Sequence, residues 1–301
     1  MMDVLQDLLG IIAVVNTPFT DTGEVDPDSI YRYVDHALND GVIGFLISAL
    51  ASEVSELSFE ERKLIAKSVI HASSRKTPVI GGTAAATQSE RLQLAKMFLD
   101  CGCIGVLVNN EFRGETRYIQ EISEFAEMQP DILMIQDWDF HGFGLPLELI
   151  VRLFGSIFHF NCLKVEVVPA GVKYTQILEA TKGRLHVSGG WASSQMIEAL
   201  DRGVHAFMPT VLHAVLSKIY HLHRQNQRPE AVSLFEEVLP ILAFYHQHPD
   251  ISIQFNKRLL VKQGVFKNTL VRSPKIAFDR YHERMAGELI DKALNILGHL
   301  K

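Results

Sequence analysis

The chain has 301 residues, 47% hydrophobic and 21% charged, enough to bury a large core as one big domain or two small ones. Its net charge of -6 comes from interspersed acids and bases without a basic run, which argues against nucleic acid as a partner. No apolar stretch approaches the ~18 residues of a membrane span, no secretory leader pattern opens the chain, and Cys101, Cys103 and Cys162 are too few for a disulfide framework, so a cytoplasmic protein with buried thiols and no membrane association is expected.

Gly10 to Val15 is a continuous apolar run closed by Asn16-Thr17-Pro18, the pattern of a strand buried on both faces. Asp26 follows as an N-cap with Pro27 at the first helical position, and Ile30, Val34 and Leu38 mark the apolar face of a helix that Gly41 ends. Val42 to Ser48 reads as the second strand. Ser58-Phe59-Glu60-Glu61 and Thr87-Gln88-Ser89-Glu90 have the spacing of capping boxes that open helices. Strands are predicted at Pro78–Gly82, Ile104–Val108, Ile132–Gln136, Cys162–Val165 and His186–Ser188. Gly41-Val42-Ile43-Gly44, Gly102-Cys103-Ile104-Gly105 and Gly203-Val204-His205-Ala206 repeat one helix-end-to-strand junction, at spacings that fit two and three units of about 30 residues. Eight alternating units predict an α/β fold, a closed (β/α)8 TIM barrel over residues 1–212, with an open doubly wound sheet as the alternative. No Gly-x-Gly-x-x-Gly follows the first strand, which counts against dinucleotide binding. Residues 213–301 carry a helical pattern only and are expected to form a C-terminal helical segment packed on the barrel.

In such a barrel the active site lies at the C-terminal ends of the strands. The polar residues falling there are Asn16 and Thr17, Ser48 and Ser52, Thr83, Asn109 and Asn110, Gln136 and Asp137, Lys164 and Glu166, and Ser188 with Gly189 and Gly190. A lysine inside an apolar run such as Phe158 to Val168 either reaches water by its stem or is held where an ammonium is disfavoured. The second arrangement makes the amine a nucleophile toward carbonyls, and the strand-end position of Lys164 favours it. Glu166, two residues on, shares the inward face on a regular strand. Gly189-Gly190 suits either a tight turn or a backbone cradle for a carboxylate or phosphate. Thr17 before Pro18 shapes a turn or serves the site, and Glu53 bonds backbone amides beneath its loop or serves the site. Trp138, Phe140, His141 and Phe143 line a pocket mouth or bury against the C-terminal helices. The pairs His221/His223 and His246/His248 are spaced i, i+2 and point to different faces of a helix, so no metal site is expected.

With these residues in view the chain resembles the dihydrodipicolinate synthase / N-acetylneuraminate lyase family of Schiff-base class I aldolases and dehydratases. The likeness rests on Thr17-Pro18-Phe19, Ser52-Glu53 with Leu57-Ser58 and Glu60-Glu61-Arg62, Val79-Ile80-Gly81-Gly82, Leu163-Lys164-Val165-Glu166, Ser188-Gly189-Gly190, Asn256-Lys257, Gly264 and Arg272-Ser273-Pro274, in that order along nearly the whole chain. The resemblance implies a (β/α)8 barrel with a C-terminal helical extension and a homo-oligomer, tetramer or dimer. It also implies that Lys164 attacks the ketone of a 2-oxo acid, pyruvate or a keto-deoxy sugar acid, so that the iminium serves as electron sink without metal or organic cofactor.

Two departures from the family pattern bear on this. The Gly-Thr-Thr-Gly-Glu loop that holds the substrate carboxylate in the family is Ala49-Leu50-Ala51-Ser52-Glu53 here, leaving backbone N–H groups and the Ser48 or Ser52 hydroxyls. The family's proton-shuttling tyrosine is replaced by Ile135 or, in a shifted register, Gln136, its paired tyrosines after the fourth strand by residues around Glu111 and Phe112, and the synthase's carboxylate-binding arginine by Phe140. Dihydrodipicolinate synthesis is therefore not expected. The expected catalytic residues are Lys164 as nucleophile and Glu166 or Asp137 as proton carrier, and the expected substrate contacts are Ser48, Ala51, Ser52, Gln136, Gly189 and Gly190. The alternative is a family member without catalysis that binds a small carboxylate or serves as an assembly subunit.

Overall fold

The computed structural model describes residues 5, 8–74, 76–139 and 141–300, with residues 191 and 192 as backbone only. Eight parallel strands close a barrel in chain order: β1 (Gly10–Val14), β2 (Gly44–Ile47), β3 (Val79–Gly82), β4 (Gly105–Val108), β5 (Ile132–Asp139), β6 (Phe160–Val167), β7 (His186–Gly189) and β8 (Ala206–Phe207). The helices between them are α1 (Pro27–Asn39), α2 (Phe59–Ala72), α3 (Gln88–Cys101), α4 (Glu115–Ala126), α5 (Leu147–Ser156), α6 (Ala170–Thr181) and α7 (Met196–Asp201). After β8 come α8 (His213–Arg224), α9 (Arg228–Tyr245), α10 (Pro249–Lys262) and α11 (Arg280–His299). The open-sheet alternative is excluded, because β8 pairs with β1. α8 packs on β1 and α1, so the ring of helices around the barrel runs on past residue 212 to Arg224. None of the described helices is long and apolar enough to cross a membrane.

Local chemistry fixes the helix starts. Asp26 accepts from the N–H groups of Asp28 at 3.1 Å and Ser29 at 3.3 Å, with Pro27 opening α1. Ser58 and Glu61 close a reciprocal capping box at α2, at 2.8 and 3.3 Å, and Thr87 with Glu90 does the same at α3, at 2.9 and 3.2 Å. The strands are buried on both faces and split their side chains between two apolar layers. Ile12, Val14, Leu46, Ile80, Leu107, Met134, Cys162 and Ala206 fill the barrel interior. Ile47, Val106, Ile135, Leu163, Val165 and Val187 face the helices in a larger outer core. β5 and β6 extend three and two residues past the C-terminal ends that their apolar runs predict, and of those extra residues Trp138 and Glu166 reach the barrel mouth.

Three histidines sit inside this frame. Burial pushes His186 down to about 4, with the neighbouring His205 adding to the shift, and pushes His213 and His246 down to about 3. All three are neutral in the fold, whereas the unfolded chain takes up protons on them below about pH 6.5. Their contribution to stability is therefore complete above that pH and is lost as pH falls from about 6.5 toward 4. The urea midpoint should be lower at pH 5 than at pH 7.5, and His213→Gln should make that pH dependence shallower.

Candidate active site

β6 alternates strictly. Cys162 faces the barrel interior and Leu163 and Val165 the outer core, so Lys164 and Glu166 both project inward at the C-terminal end. Lys164 Nζ lies 3.4 Å from Glu166 Oε1, and both side chains are nearly inaccessible, at 6% and 5% exposed. β5 is paired so that Gln136 stands beside Lys164 and Trp138 beside Glu166. Gln136 Nε2 donates a short hydrogen bond to Glu166 Oε2, and Asn109 Nδ2 donates to Gln136 Oε1 at 3.1 Å. The result is a relay across three adjacent strands, from Asn109 through Gln136 and Glu166 to the amine of Lys164. Of the two residues in the place of the family tyrosine, Gln136 faces in and Ile135 belongs to the outer core.

Lys164, Glu166 and Gln136 line a cavity of about 60 Å³ with Ala49, Leu50 and Ala51 of the loop after β2 and with Gly190. That is room for a few water-sized groups, the scale of a small 2-oxo acid. Gly190 is there for want of space: a Cβ at this position would run into Glu166 Oε1 and lie 2.6 Å from Lys164 Cε. The far wall is formed by residues that motif and strand-end reasoning leave unmarked. Thr210 follows β8, and Tyr245, His246 and Ser252 come from α9 and α10. Burial pushes the Tyr245 phenol well above its ordinary range, so its hydroxyl is a donor and not a base. The only early sign of this wall is the aromatic density of Phe244-Tyr245-His246 in a helical tail.

Several expected site residues lie elsewhere. Asp137, next to Gln136, projects to the opposite side of β5, since successive side chains on a strand alternate. It is ion-paired with buried Lys173 at 3.1 Å and accepts the Leu145 N–H at 2.8 Å. Burial raises its carboxyl pKa, and Lys173 opposes the shift. Asp137 thus anchors the loop between β5 and α5, where Gly144 adopts φ +68 directly over its carboxylate. The same loop carries Phe143, whose ring has Lys173 Nζ 5.0 Å from its centroid. Trp138 lines the cavity, while Phe140 lies outside the described residues. Ser52 is also structural: its hydroxyl donates to Val15 O at 2.6 Å and accepts the Ala49 N–H at 3.2 Å. Gly189 is held in the sheet beside Val165 and Phe207 and does not line the cavity. Ser48 faces a neighbouring cavity. Among the described residues, no group of three or more His, Cys, Asp or Glu side chains is placed to hold a metal ion.

The loop after β2 is fixed from behind by the C-terminal segment. Thr17 Oγ1 donates to Ser52 O at 2.7 Å, and Glu53, in the left-handed region at φ 59, accepts the Arg272 N–H at 2.7 Å and pairs closely with Lys257. Lys257 also donates to Leu270 O at 2.6 Å. Both cations stand over the Phe19 ring, with Lys257 Nζ 4.4 Å and the Arg272 guanidinium 4.1 Å from its centroid. Burial pushes the Glu53 carboxyl up and the Lys257 amine down to about 8, and each partner's charge opposes the other's shift.

A barrel with an inward lysine and carboxylate on its sixth strand defines a class that comparison with known proteins makes specific. The model of the dihydrodipicolinate synthetase family matches residues 7–293, and the chain belongs to that family. It is 25% identical over 282 residues to L-2-keto-3-deoxyarabonate dehydratase of Azospirillum brasilense, covering 88% of each chain. It is 30% identical over 121 residues to the putative 2-dehydro-3-deoxy-D-gluconate aldolase YagE of Escherichia coli K12, covering 38% of this chain and 40% of that one. Dihydrodipicolinate synthase of Rhodopseudomonas palustris shares the fold with TM-score 0.88 at 22% identity, over 95% of this chain and 98% of that one.

Two substitutions test the geometry. Gly190→Ala should displace the Lys164 and Glu166 side chains and slow any reaction of the lysine at least tenfold, read as the rate of covalent modification by a carbonyl probe, with little change in urea midpoint. Lys257→Met leaves Glu53 buried without its cation and should cost about 3–5 kcal/mol of unfolding free energy, measured by equilibrium denaturation.

Proposed function

We propose that this protein is a lyase that acts on a 2-oxo acid through a Schiff base on Lys164, with Glu166 carrying protons. The observation that carries the reading is the buried Lys164–Glu166 pair, 3.4 Å apart and opening into one small cavity. The names of the dehydratase and aldolase relatives support the reaction class.

The pair supplies both halves of the chemistry. Transfer of one proton from Lys164 to Glu166 leaves a neutral amine, which attacks the C2 ketone. The carbinolamine oxygen leaves as water with the proton held by Glu166, and an iminium remains. In an aldol cleavage, Glu166 takes the proton of the C4 hydroxyl as the C3–C4 bond breaks, its electron pair moves toward the iminium nitrogen, and an aldehyde departs. Glu166 returns the proton to C3 of the enamine, and water then releases the shortened 2-oxo acid. In a dehydration the same carboxylate takes a C3 proton and gives it to the departing C4 hydroxyl as water. The iminium is the electron sink in both, and neither step calls for a metal or organic cofactor.

Gln136 has no proton to give near neutral pH and acts in this scheme by orienting Glu166. The substrate carboxylate is read as lying against the backbone of Ala49 to Ala51 and Thr210, with the Tyr245 hydroxyl as a further donor. The presence of Glu166 in the cavity supports catalysis over a binding-only role, since a carboxylate beside the amine is able to accept and return a proton.

Incubation with pyruvate and borohydride should add the mass of one reduced adduct to the wild type and none to Lys164→Arg, because a guanidinium stays protonated. A Lys164→Arg protein that still traps would remove the assignment. Glu166→Gln should retain some trapping but lose turnover by about two or more orders of magnitude, the scale of a general acid–base.

A further inference from the structure

The cavity around Lys164 is too small for more than the reacting end of a substrate. Beside it lies a second cavity of about 310 Å³ that shares Ala49, Leu50, Gln136 and Trp138 as walls. Whatever extends from the 2-oxo acid beyond C3 has this space to enter. Its walls are largely hydrocarbon, with Val54, Ala84 and Leu107 added to Leu50 and Trp138.

Among the described residues that line the two cavities, the Lys164–Glu166 pair alone is charged. His246, in the first cavity, is neutral near pH 7. Arg62 is not among the lining residues and gives three of its five N–H groups to the carbonyls of Leu57, Ala84 and Val54, at 3.2, 2.8 and 2.7 Å. A second carboxylate or a phosphate in the second cavity would therefore be desolvated with no cationic side chain lining its walls.

Hydrogen-bonding capacity is also scarce. Asn109 and Gln136 are tied to each other and to Glu166. Among the described side chains that line the second cavity, the Trp138 indole N–H is a donor only, and Ser48 alone offers a hydroxyl. That oxygen is buried with no hydrogen-bond partner among the described residues, on a backbone held at φ 55. A polyhydroxylated tail would leave most of its hydroxyls unpaired, whereas an alkyl or aryl group would fill the space and meet the Trp138 ring.

We propose that this second cavity receives the distal part of the 2-oxo acid, and that this part is uncharged and mainly hydrocarbon, alkyl or aryl, with at most one oxygen presented to Ser48. The inference rests on the Schiff-base reading of Lys164 and narrows its substrate class away from the sugar acids for which relatives are named.

The test is borohydride trapping on the wild-type protein with four acids: pyruvate, 2-oxo-4-phenylbutanoate, 2-oxoglutarate and 2-dehydro-3-deoxy-D-gluconate. Intact mass gives the concentration of each acid for half-maximal adduct. The phenyl acid should trap at a concentration at least tenfold below those of the dicarboxylate and the sugar acid. If either of these two traps as well as the phenyl acid while pyruvate also forms an adduct, the tail assignment is overturned and the Schiff-base reading survives. Absence of any adduct with all four sinks both. Leu50→Arg, at a half-exposed wall position that tolerates a long side chain, should bring 2-oxoglutarate at least tenfold closer to the phenyl acid, and an unchanged ratio would count against a tail lying against Leu50.

Discussion

The register between β5 and β6 is the constraint on which the site depends. Pairing Gln136 with Lys164 sends Gln136, Lys164 and Glu166 into the barrel and Asp137 and Val165 out toward the helices. A slip of one residue on either strand would exchange the two sets, placing a valine where the amine should be and an unpaired lysine in the outer core. Two features hold the register. The apolar residues Ile135, Leu163 and Val165 interlock with the surrounding helices on one side, and the outward Asp137 is fixed by Lys173 and the Leu145 N–H on the other. The carboxylate outside the barrel thus serves the site by keeping its neighbour inside.

A second ionic cluster does for the loop after β2 what Asp137 and Lys173 do for the loop after β5. Glu53, Lys257 and Arg272 bring the α10 helix and the segment before α11 against the loop that walls the Lys164 cavity. Such a cluster contributes little net stability over a well-packed apolar one, but it is costly to leave half-made, since a lone buried charge has no solvent to turn to. It commits the loop to one geometry. The C-terminal helices therefore cap the barrel mouth and at the same time hold its floor, which accounts for the side chains they lend to the cavity at Tyr245, His246 and Ser252.

The loss of the family tyrosine has a structural counterpart. A tyrosine at the Gln136 position would bring its own proton; a glutamine there brings a donor and an acceptor that link Asn109 to Glu166. The carboxylate that receives this link stands two residues from the lysine, on the same strand and the same face. Amine and carboxylate are thus neighbours on one element, a rigid arrangement, and Gln136 is a wall common to the two cavities.

Much of this was legible in the amino-acid order. Buried strands show as unbroken apolar runs, Asp26, Ser58 and Thr87 cap helices by local chemistry, and Lys164 and Glu166 must share a face because strand geometry has a period of two. These are short-range matters, settled by residues within a turn or a strand of one another. Which face points inward is not short-range: Asp137 and Gln136 are equally polar in sequence, and only closure of the barrel against its helices sends one out to Lys173 and the other in to Glu166. Ser52 looks as available as Ser48 until the fold brings Val15 within 2.6 Å of its hydroxyl. Tyr245 carries no motif, and it reaches the cavity only because α9 folds back over the mouth of the barrel. The sequence determined the elements and the strand that carries Lys164 and Glu166, while packing between distant segments decided which polar groups line the cavity, because burial and hydrogen-bond partnership are properties of neighbours in space.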